Sequence, residues 1–386
     1  MFVYLDNSAT TKPYREVIET MVNYMEHDFG NPSSLHRMGI TAEKGMKEAR
    51  KSVASSLGVR EEEIYFTSGG TEADNTALFG AVQARKRRGN KIITSRIEHP
   101  AILESCRKLE EMGFQVVYLP VDRRGMIDMD VLENELDNQT ILITVMQVNN
   151  EVGSIQPIAE IVERKERIGK KLGTEILLHT DAVQSYGKLP VRMDGIDLLS
   201  VSGHKIHGPK GAGALYVRKG LNLPPYLIGG GQERGLRSGT ENVPAVAGFG
   251  TAADLSRKNF GERIEAMKRV KTYLDEGIRT EIPDIVFNSG RSGSPAITNV
   301  SFSGVRGEVL LHTLEQSEIY VSTGSACSSR KKGQSHVLKA MGLSDREIEG
   351  AIRFSFSEFN TLEEMDFVLD RLKDAVLKFR KLGSFR

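Results

Sequence analysis

Lys205 lies in the run Ser202-Gly203-His204-Lys205-Ile206-His207-Gly208-Pro209-Lys210-Gly211, at the end of the apolar stretch Asp197 to Val201. A lysine among a serine, two histidines and glycines is poorly explained as a solvated surface charge. Its small neighbours give a flat aldehyde room to come within bonding reach of the amine, as a Schiff-base lysine requires. From this decapeptide alone, an ordinary turn lysine explains the pattern about as well. The segment Glu175 to Asp181 has a short apolar core ending in polar residues, the pattern of a buried parallel strand that delivers an acid at its carboxyl end. A second apolar strand, Ile196 to Val201, precedes Lys205, so two neighbouring strand ends would supply an acid and an amine to one pocket. Pyridoxal phosphate needs that pair: a carboxylate keeps the pyridine nitrogen protonated and a lysine carries the aldehyde. A structural salt bridge would use the same residue types.

An anion site is legible further upstream. The strand Ile64 to Phe66 runs into Thr67-Ser68-Gly69-Gly70-Thr71-Glu72-Ala73, after which a helix begins. Glycines let backbone N–H groups turn toward an anion, Thr71 adds a hydroxyl, and the helix start adds its positive end. The lysine and spacing of a nucleotide-binding P-loop are missing, which argues against a nucleotide; a plain strand-to-helix turn with an N-cap is the alternative. Ser202 and His204 can reach the same phosphate from the other side. His99, in Ile97-Glu98-His99-Pro100, opens a helix after another strand, where an imidazole can stack on a flat ring and move protons near neutral pH. Asn149-Asn150 and Gln184 offer neutral amides to a substrate or ring oxygen. Cys327 sits in Ser325-Ala326-Cys327-Ser328-Ser329-Arg330-Lys331-Lys332-Gly333-Gln334, with no large apolar residue to anchor it. That predicts an exposed thiol on a mobile loop, with its thiolate fraction raised by the adjacent cations from the few per cent expected of a pKa of about 8.5.

The elements that must position these residues follow from the apolar pattern. Short apolar runs (Ile64 to Phe66, Lys91 to Thr94, Gln115 to Leu119, Ile141 to Val145) alternate with helical stretches from Thr71, Pro100 and Pro157, the signature of βαβ units around a mostly parallel sheet. From about Gly248 the pattern changes to long charged helices, Arg257 to Glu281 and Thr361 to Lys381, enclosing short strands near Ile285, Thr298 and Arg353. Thr361-Leu362-Glu363-Glu364 reads as a capping box. At 386 residues the chain has room for two domains, one large and one small. The charges balance to +1, which gives no general attraction to nucleic acid or anionic membrane. The basic run Arg85 to Arg88 reads as a helix end. No apolar run approaches the roughly 20 residues that span a bilayer, and the start lacks a signal-peptide pattern, so a cytoplasmic protein is expected. Two cysteines, Cys106 and Cys327, are too few for a disulfide framework, and Cys106, at helical spacing from Ile102 and Leu109, reads as a packing residue.

These residues resemble the cysteine desulfurases of the class V aminotransferase group. The matching segments are Tyr4 to Thr11, Asn31 to His36, Thr67 to Asn75, Asn149 to Gly153, Asp181 to Gln184, Ser202 to Gly211, Gly229 to Thr240 and Gly324 to Cys327, in the family's order along nearly the whole chain. The resemblance implies an α/β enzyme of the aspartate aminotransferase-like fold (fold type I). Its mostly parallel seven-stranded sheet would lie in a large domain at residues 15–255, with a small α+β domain from residues 1–14 and 256–386. It implies pyridoxal 5'-phosphate bound through Lys205, with Asp181 on the pyridinium, Gln184 on the ring hydroxyl, and Gly70, Thr71, Ser202 and His204 on the phosphate. His99 would stack on the ring and shuttle protons, Asn150 and Arg353 would hold the substrate carboxylate, and Thr240 would reach the cofactor phosphate of the partner in a homodimer. For Arg353 the physics agrees, because guanidinium binds carboxylate in a two-pronged fork. The implied reaction converts L-cysteine to L-alanine through a persulfide on Cys327, passed to an acceptor such as an iron-sulfur scaffold, with no metal ligands required. One departure stands out: many relatives that serve iron-sulfur assembly carry Leu-Glu-Pro where this chain has Lys332-Gly333-Gln334. A selenocysteine lyase or other class V enzyme, and a noncatalytic sulfur-carrier or assembly scaffold, remain the alternatives.

Overall fold

The computed structural model describes residues 1–323 and 334–383. Cys327 and the rest of its loop lie outside the described residues. Seven strands form one sheet in the order Ile64–Thr67, Gly213–Val217, Leu198–Ser202, Leu177–Asp181, Thr140–Thr144, Lys91–Ser95 and Gln115–Leu119. Gly213–Val217 runs antiparallel to both neighbours and the other pairs are parallel. The five strands between the two sheet edges are buried along their whole length. Burial on both faces explains why they read as continuous apolar runs rather than alternating ones. All parallel strands deliver their carboxyl ends to one edge, where ligands of open α/β sheets bind.

One face of the sheet is covered by a cluster built on the helices Arg37–Leu57 and Val243–Arg257, with Phe249, Val53 and Ile143 among its buried members. The opposite face packs against Gly70–Arg85 and Pro100–Glu111 and holds Leu78, Ile102 and Cys106. Cys106 is fully buried and burial pushes its thiol up to about 12, so it is an inert packing group. A third cluster joins Val3 and Leu5 to Leu274, Phe302, Phe354 and Leu372. There Ala351–Ser355, Ile297–Phe302 and Ile285–Phe287 form an antiparallel sheet, and Val3–Tyr4 pairs with Ile319–Tyr320. The first residues of the chain thus pack with the last third.

Two elements differ from the sequence reading. The helix expected from Arg257 begins at Phe260, because Val243–Arg257 is a helix of its own and Asn259 sits between them at φ 51°, a left-handed conformation that asparagine tolerates. The antiparallel strand Gly213–Val217 follows the Lys205 turn too closely to register as a separate apolar run. The final helix, Leu362–Gly383, starts as read: Thr361 N–H donates to Glu364 Oε2 (3.0 Å) and Glu364 N–H donates to Thr361 Oγ1 (3.2 Å).

Candidate active site

The carboxyl ends of the central strands open into a cavity of about 260 Å3. Ten residues singled out from the sequence line it: Gly70, Thr71, His99, Asn150, Asp181, Gln184, Ser202, His204, Lys205 and Arg353. Thr240 does not; it is exposed on the segment after Gly229, which Arg237 ties to the first turn of helix Gly70–Arg85 through Glu72 (2.9 Å). Cys327 lies outside the described residues.

Lys205 closes a short 3-10 turn, Gly203–Lys205, that follows directly on strand Leu198–Ser202. Its Nζ donates to the carbonyls of Ser8 (2.5 Å) and Ala9 (2.8 Å). Asp181 ends the neighbouring strand and accepts from Val183 N–H (2.8 Å). Burial pushes its carboxyl up to about 6, against the pull of the Val183 N–H and the Lys205 charge, so it is anionic at neutral pH. Behind it Asp74 is wholly buried and raised well above the usual carboxylate range, first by burial and then by the Asp181 charge. Two buried acids this closely coupled cannot both ionise: Asp74 keeps its proton and Asp181 carries the charge.

The phosphate cup is as small as its glycines predict. Gly69 has φ 154° and ψ −174°, a region that only glycine occupies readily. A Cβ on Gly213 would come within 2.7 Å of the Gly69 backbone, and one on Gly70 within 2.7 Å of Val183. Ser202 Oγ is buried beside this turn with no partner, and Gln184 spends its amide on Ser8 O (2.9 Å) but leaves Oε1 unmatched. Buried polar atoms of this kind are rare in finished cores. The residues present fit pyridoxal phosphate: an amine, an anionic acid one strand away, an unsatisfied hydroxyl and a helix N-terminus for phosphate, and an unsatisfied amide oxygen for the ring hydroxyl.

His99 caps helix Pro100–Glu111, its Nδ1 accepting from Ala101 N–H (3.1 Å). The cap places the ring proton on Nε2. Burial, then the charge of Lys205, then His336 lower the imidazole to about 4, so it is neutral near pH 7. His204 is likewise lowered to about 3, by burial and then Lys205, and its Nδ1 lies 3.2 Å from Thr10 Oγ1. Arg353, in the strand Ala351–Ser355, is buried; its guanidinium donates to Asp6 Oδ1 (2.6 Å) and to Asn150 O (3.0 Å), with Nε unmatched. Asn149 is structural: its side chain accepts from Glu151 and Val152 N–H (2.9 and 3.0 Å) and donates to Ile97 O, which leaves Asn150 as the amide that faces the cavity.

Sequence reasoning about the site passed over Asp74, Met146 and Val183 in the wall, and Asp6 behind Arg353. Asp6 and Ser8 lie within the quoted segment Tyr4 to Thr11. What they do there depends on the pairing of the chain's start with its last third, which leaves no local pattern.

A profile of the aminotransferase class-V family matches residues 3–368. The chain belongs to the class V aminotransferases. Within that family its relatives are cysteine desulfurases: one named cysteine desulfurase IscS from Methanosarcina thermophila is 46% identical over 99% of this chain and 93% of its own length. Another of that name from Dictyoglomus turgidum is 43% identical over 100% and 97%. Among solved structures, a NifS-like protein superposes with a TM-score of 0.90 at 41% identity over 98% of this chain and all of its own. SspA in complex with cysteine reaches 0.81 at 35% identity, over 93% and 100%. As a member of this cysteine desulfurase group, the chain is an enzyme of the pyridoxal phosphate-dependent type, with the seven-stranded fold expected of it.

Proposed function

We propose that the protein converts L-cysteine to L-alanine in this cavity and carries the sulfur away on Cys327. The observation that carries this reading is the placing of Lys205 and Asp181 at adjacent strand ends, next to the unmatched Ser202 hydroxyl and the Gly70 helix start. Pyridoxal phosphate bound there supplies an electron sink for charge developing at the substrate α-carbon. Asp181 would hold its ring nitrogen protonated; Ser202, Thr71, His204 and the Gly70 N–H would hold its phosphate; Gln184 would serve the ring hydroxyl. Arg353 and Asn150 orient the substrate carboxylate, with Asp6 fixing the guanidinium plane.

The Lys205 amine takes the α-proton. His99, neutral and with its Nδ1 engaged by Ala101, would stack on the ring and present an Nε2–H donor. Cys327 thiolate then attacks the substrate sulfur: a sulfur–sulfur bond forms, the carbon–sulfur bond breaks, and its electron pair stays on carbon, which takes up one proton to become the methyl group of alanine. No outside oxidant is needed, since the carbon is reduced as the sulfur is oxidised to the persulfide level. An acceptor protein, such as an iron-sulfur scaffold, takes the sulfur. The working unit is a homodimer in which Thr240 of each subunit reaches the other's cofactor phosphate. Each subunit has a large domain at 15–255 and a small one at 1–14 and 256–386, and the enzyme acts in the cytoplasm. The cysteine desulfurase names of the relatives and the Cys327 motif favour this over selenocysteine as sole substrate.

Purified protein given pyridoxal phosphate and L-cysteine forms alanine and transferable sulfur in equal amounts. Full turnover by a Cys327→Ser variant refutes the sulfur-transfer step.

A further inference from the structure

Lys188 is an anomaly among the buried residues. It is 5% exposed, and its Nζ has no hydrogen-bond partner. It lies in the turns that follow Asp181, directly after Gly187, which has a φ of 70° and at which a Cβ would come within 2.7 Å of the Ile206 side chain, so this turn lies close against the Lys205 turn. Lys188 and Lys205 line the same narrow cavity, which has no room for a water molecule to serve as the missing partner. The one carboxylate there, Glu358, is already taken by Arg263 (2.8 Å), His207 (3.3 Å) and the Tyr14 hydroxyl. The other charges facing Lys188 are positive: Lys205, Arg263 and Arg353, the last paired with Asp6.

Resting on the reading of Lys205 given above, we propose that Lys188 is a positioning residue for the reaction: its unpaired amine in the cavity beneath the Lys205 turn holds down the proton affinity of the Lys205 nitrogen. A lysine beside a second cationic group is a weaker acid-binding site and a better base near neutral pH. The coupling is mutual, because Coulomb repulsion is symmetric in its two partners. Burial and then the Lys205 charge bring the Lys188 amine down to about 7, so it is partly charged where the enzyme works and the pair takes up its protons in two spread steps. His204 is kept neutral by burial first, with the charges of Lys205, Lys210 and Lys188 acting in the same direction.

The experiment is a pH titration of the visible band of pyridoxal phosphate bound through Lys205, in wild type, Lys188→Met and Lys188→Arg. Lys188→Met raises the midpoint by about one pH unit, the scale on which a nearby like charge acts, and sharpens the curve to a single proton. Lys188→Arg, with a permanent charge, keeps the midpoint at or below the wild-type value. In the apoprotein the pH dependence of the rate of cofactor capture moves the same way. Lys188→Met also keeps its unfolding midpoint, since an unpaired buried charge is removed; should it not fold, Lys188→Gln takes its place. An unchanged midpoint in the folded variant overturns the proposal. A wild-type band that survives Lys205→Ala overturns the assignment of Lys205 instead.

Discussion

The two edges of the central sheet treat buried charge in opposite ways. At the amino edge, Lys91 donates to Glu135 Oε2 (2.7 Å) and Asp137 Oδ2 (3.2 Å), and these partners raise its amine above the usual lysine value although burial opposes them. Lys165 meets Asp197 (2.8 Å), whose other oxygen takes Arg218 (2.6 Å) and which also accepts from Leu178 N–H (2.8 Å). At the carboxyl edge Ser202 Oγ, Gln184 Oε1, Thr180 Oγ1 and Lys188 Nζ lack partners, Asp181 and Asp74 are raised, and Lys188 is lowered. Apart from Arg85 Nε, the amino edge is finished as a core, while the carboxyl edge gathers several unmatched groups, as a site completed by a ligand would. Unsatisfied buried groups cost stability, so their concentration at one end of one sheet marks the place where binding returns that cost.

Changes at the two edges should therefore separate cleanly. Lys205→Ala removes the amine proposed to move the proton; its rate of alanine formation falls on the order of 10⁴-fold, the upper range for a positioned acid–base group, while its unfolding midpoint stays near wild type. Asp181→Asn loses roughly 10²- to 10³-fold in kcat with its fold intact, by removing a preorganised charge from a water-poor site. At the amino edge Lys165→Met does the reverse: it strips one partner from a buried pair and costs about 3 kcal/mol in denaturant unfolding, with KM for cysteine unmoved. An activity loss with no stability loss there would erase the contrast.

Acidity offers a subtler test. Glu98 is fully buried between Ser95 and the Met146 N–H, and burial lifts it from its ordinary 4.5 to about 8. The folded state then keeps a proton that the unfolded chain releases at lower pH. The stability this group contributes is complete below about 4.5 and is lost as pH rises toward 8. Glu98→Gln flattens the decline in unfolding midpoint between those values; an unchanged slope rules Glu98 out as its source. Smallest is Thr240→Ala, which weakens cofactor binding about tenfold, the worth of one charge-assisted hydrogen bond. If Thr240 serves the neighbouring subunit, mixed dimers with Lys205→Ala show the loss only in the subunit whose partner carries the change.

Much of this was legible in the chain because parallel strands announce themselves. Apolar runs ending in polar residues located Asp181, Ser202 and the Gly69-Gly70 turn within a residue or two. Asp74 was hidden because an acid near the start of a helix reads as a favourable dipole partner; only its depth in the structure shows that its carboxyl is pushed up. Asp6 and Arg353 meet through the pairing of the chain's two ends, and pattern within either segment carries no trace of it. Lys188, in Ser185-Tyr186-Gly187-Lys188, looks like a surface turn lysine by composition, and only its place in a narrow cavity shared with Arg263 and Phe356 shows it to be inside.

The central claim is that sulfur leaves cysteine in the Lys205 cavity and departs on Cys327. Mass measurement of the Cys327 peptide after a single turnover with L-cysteine, with thiols blocked, tests it most directly. The account predicts a peptide heavier by one sulfur atom, matched by one alanine, in wild type and neither in Lys205→Ala. Alanine formed without any sulfur on Cys327 would contradict it.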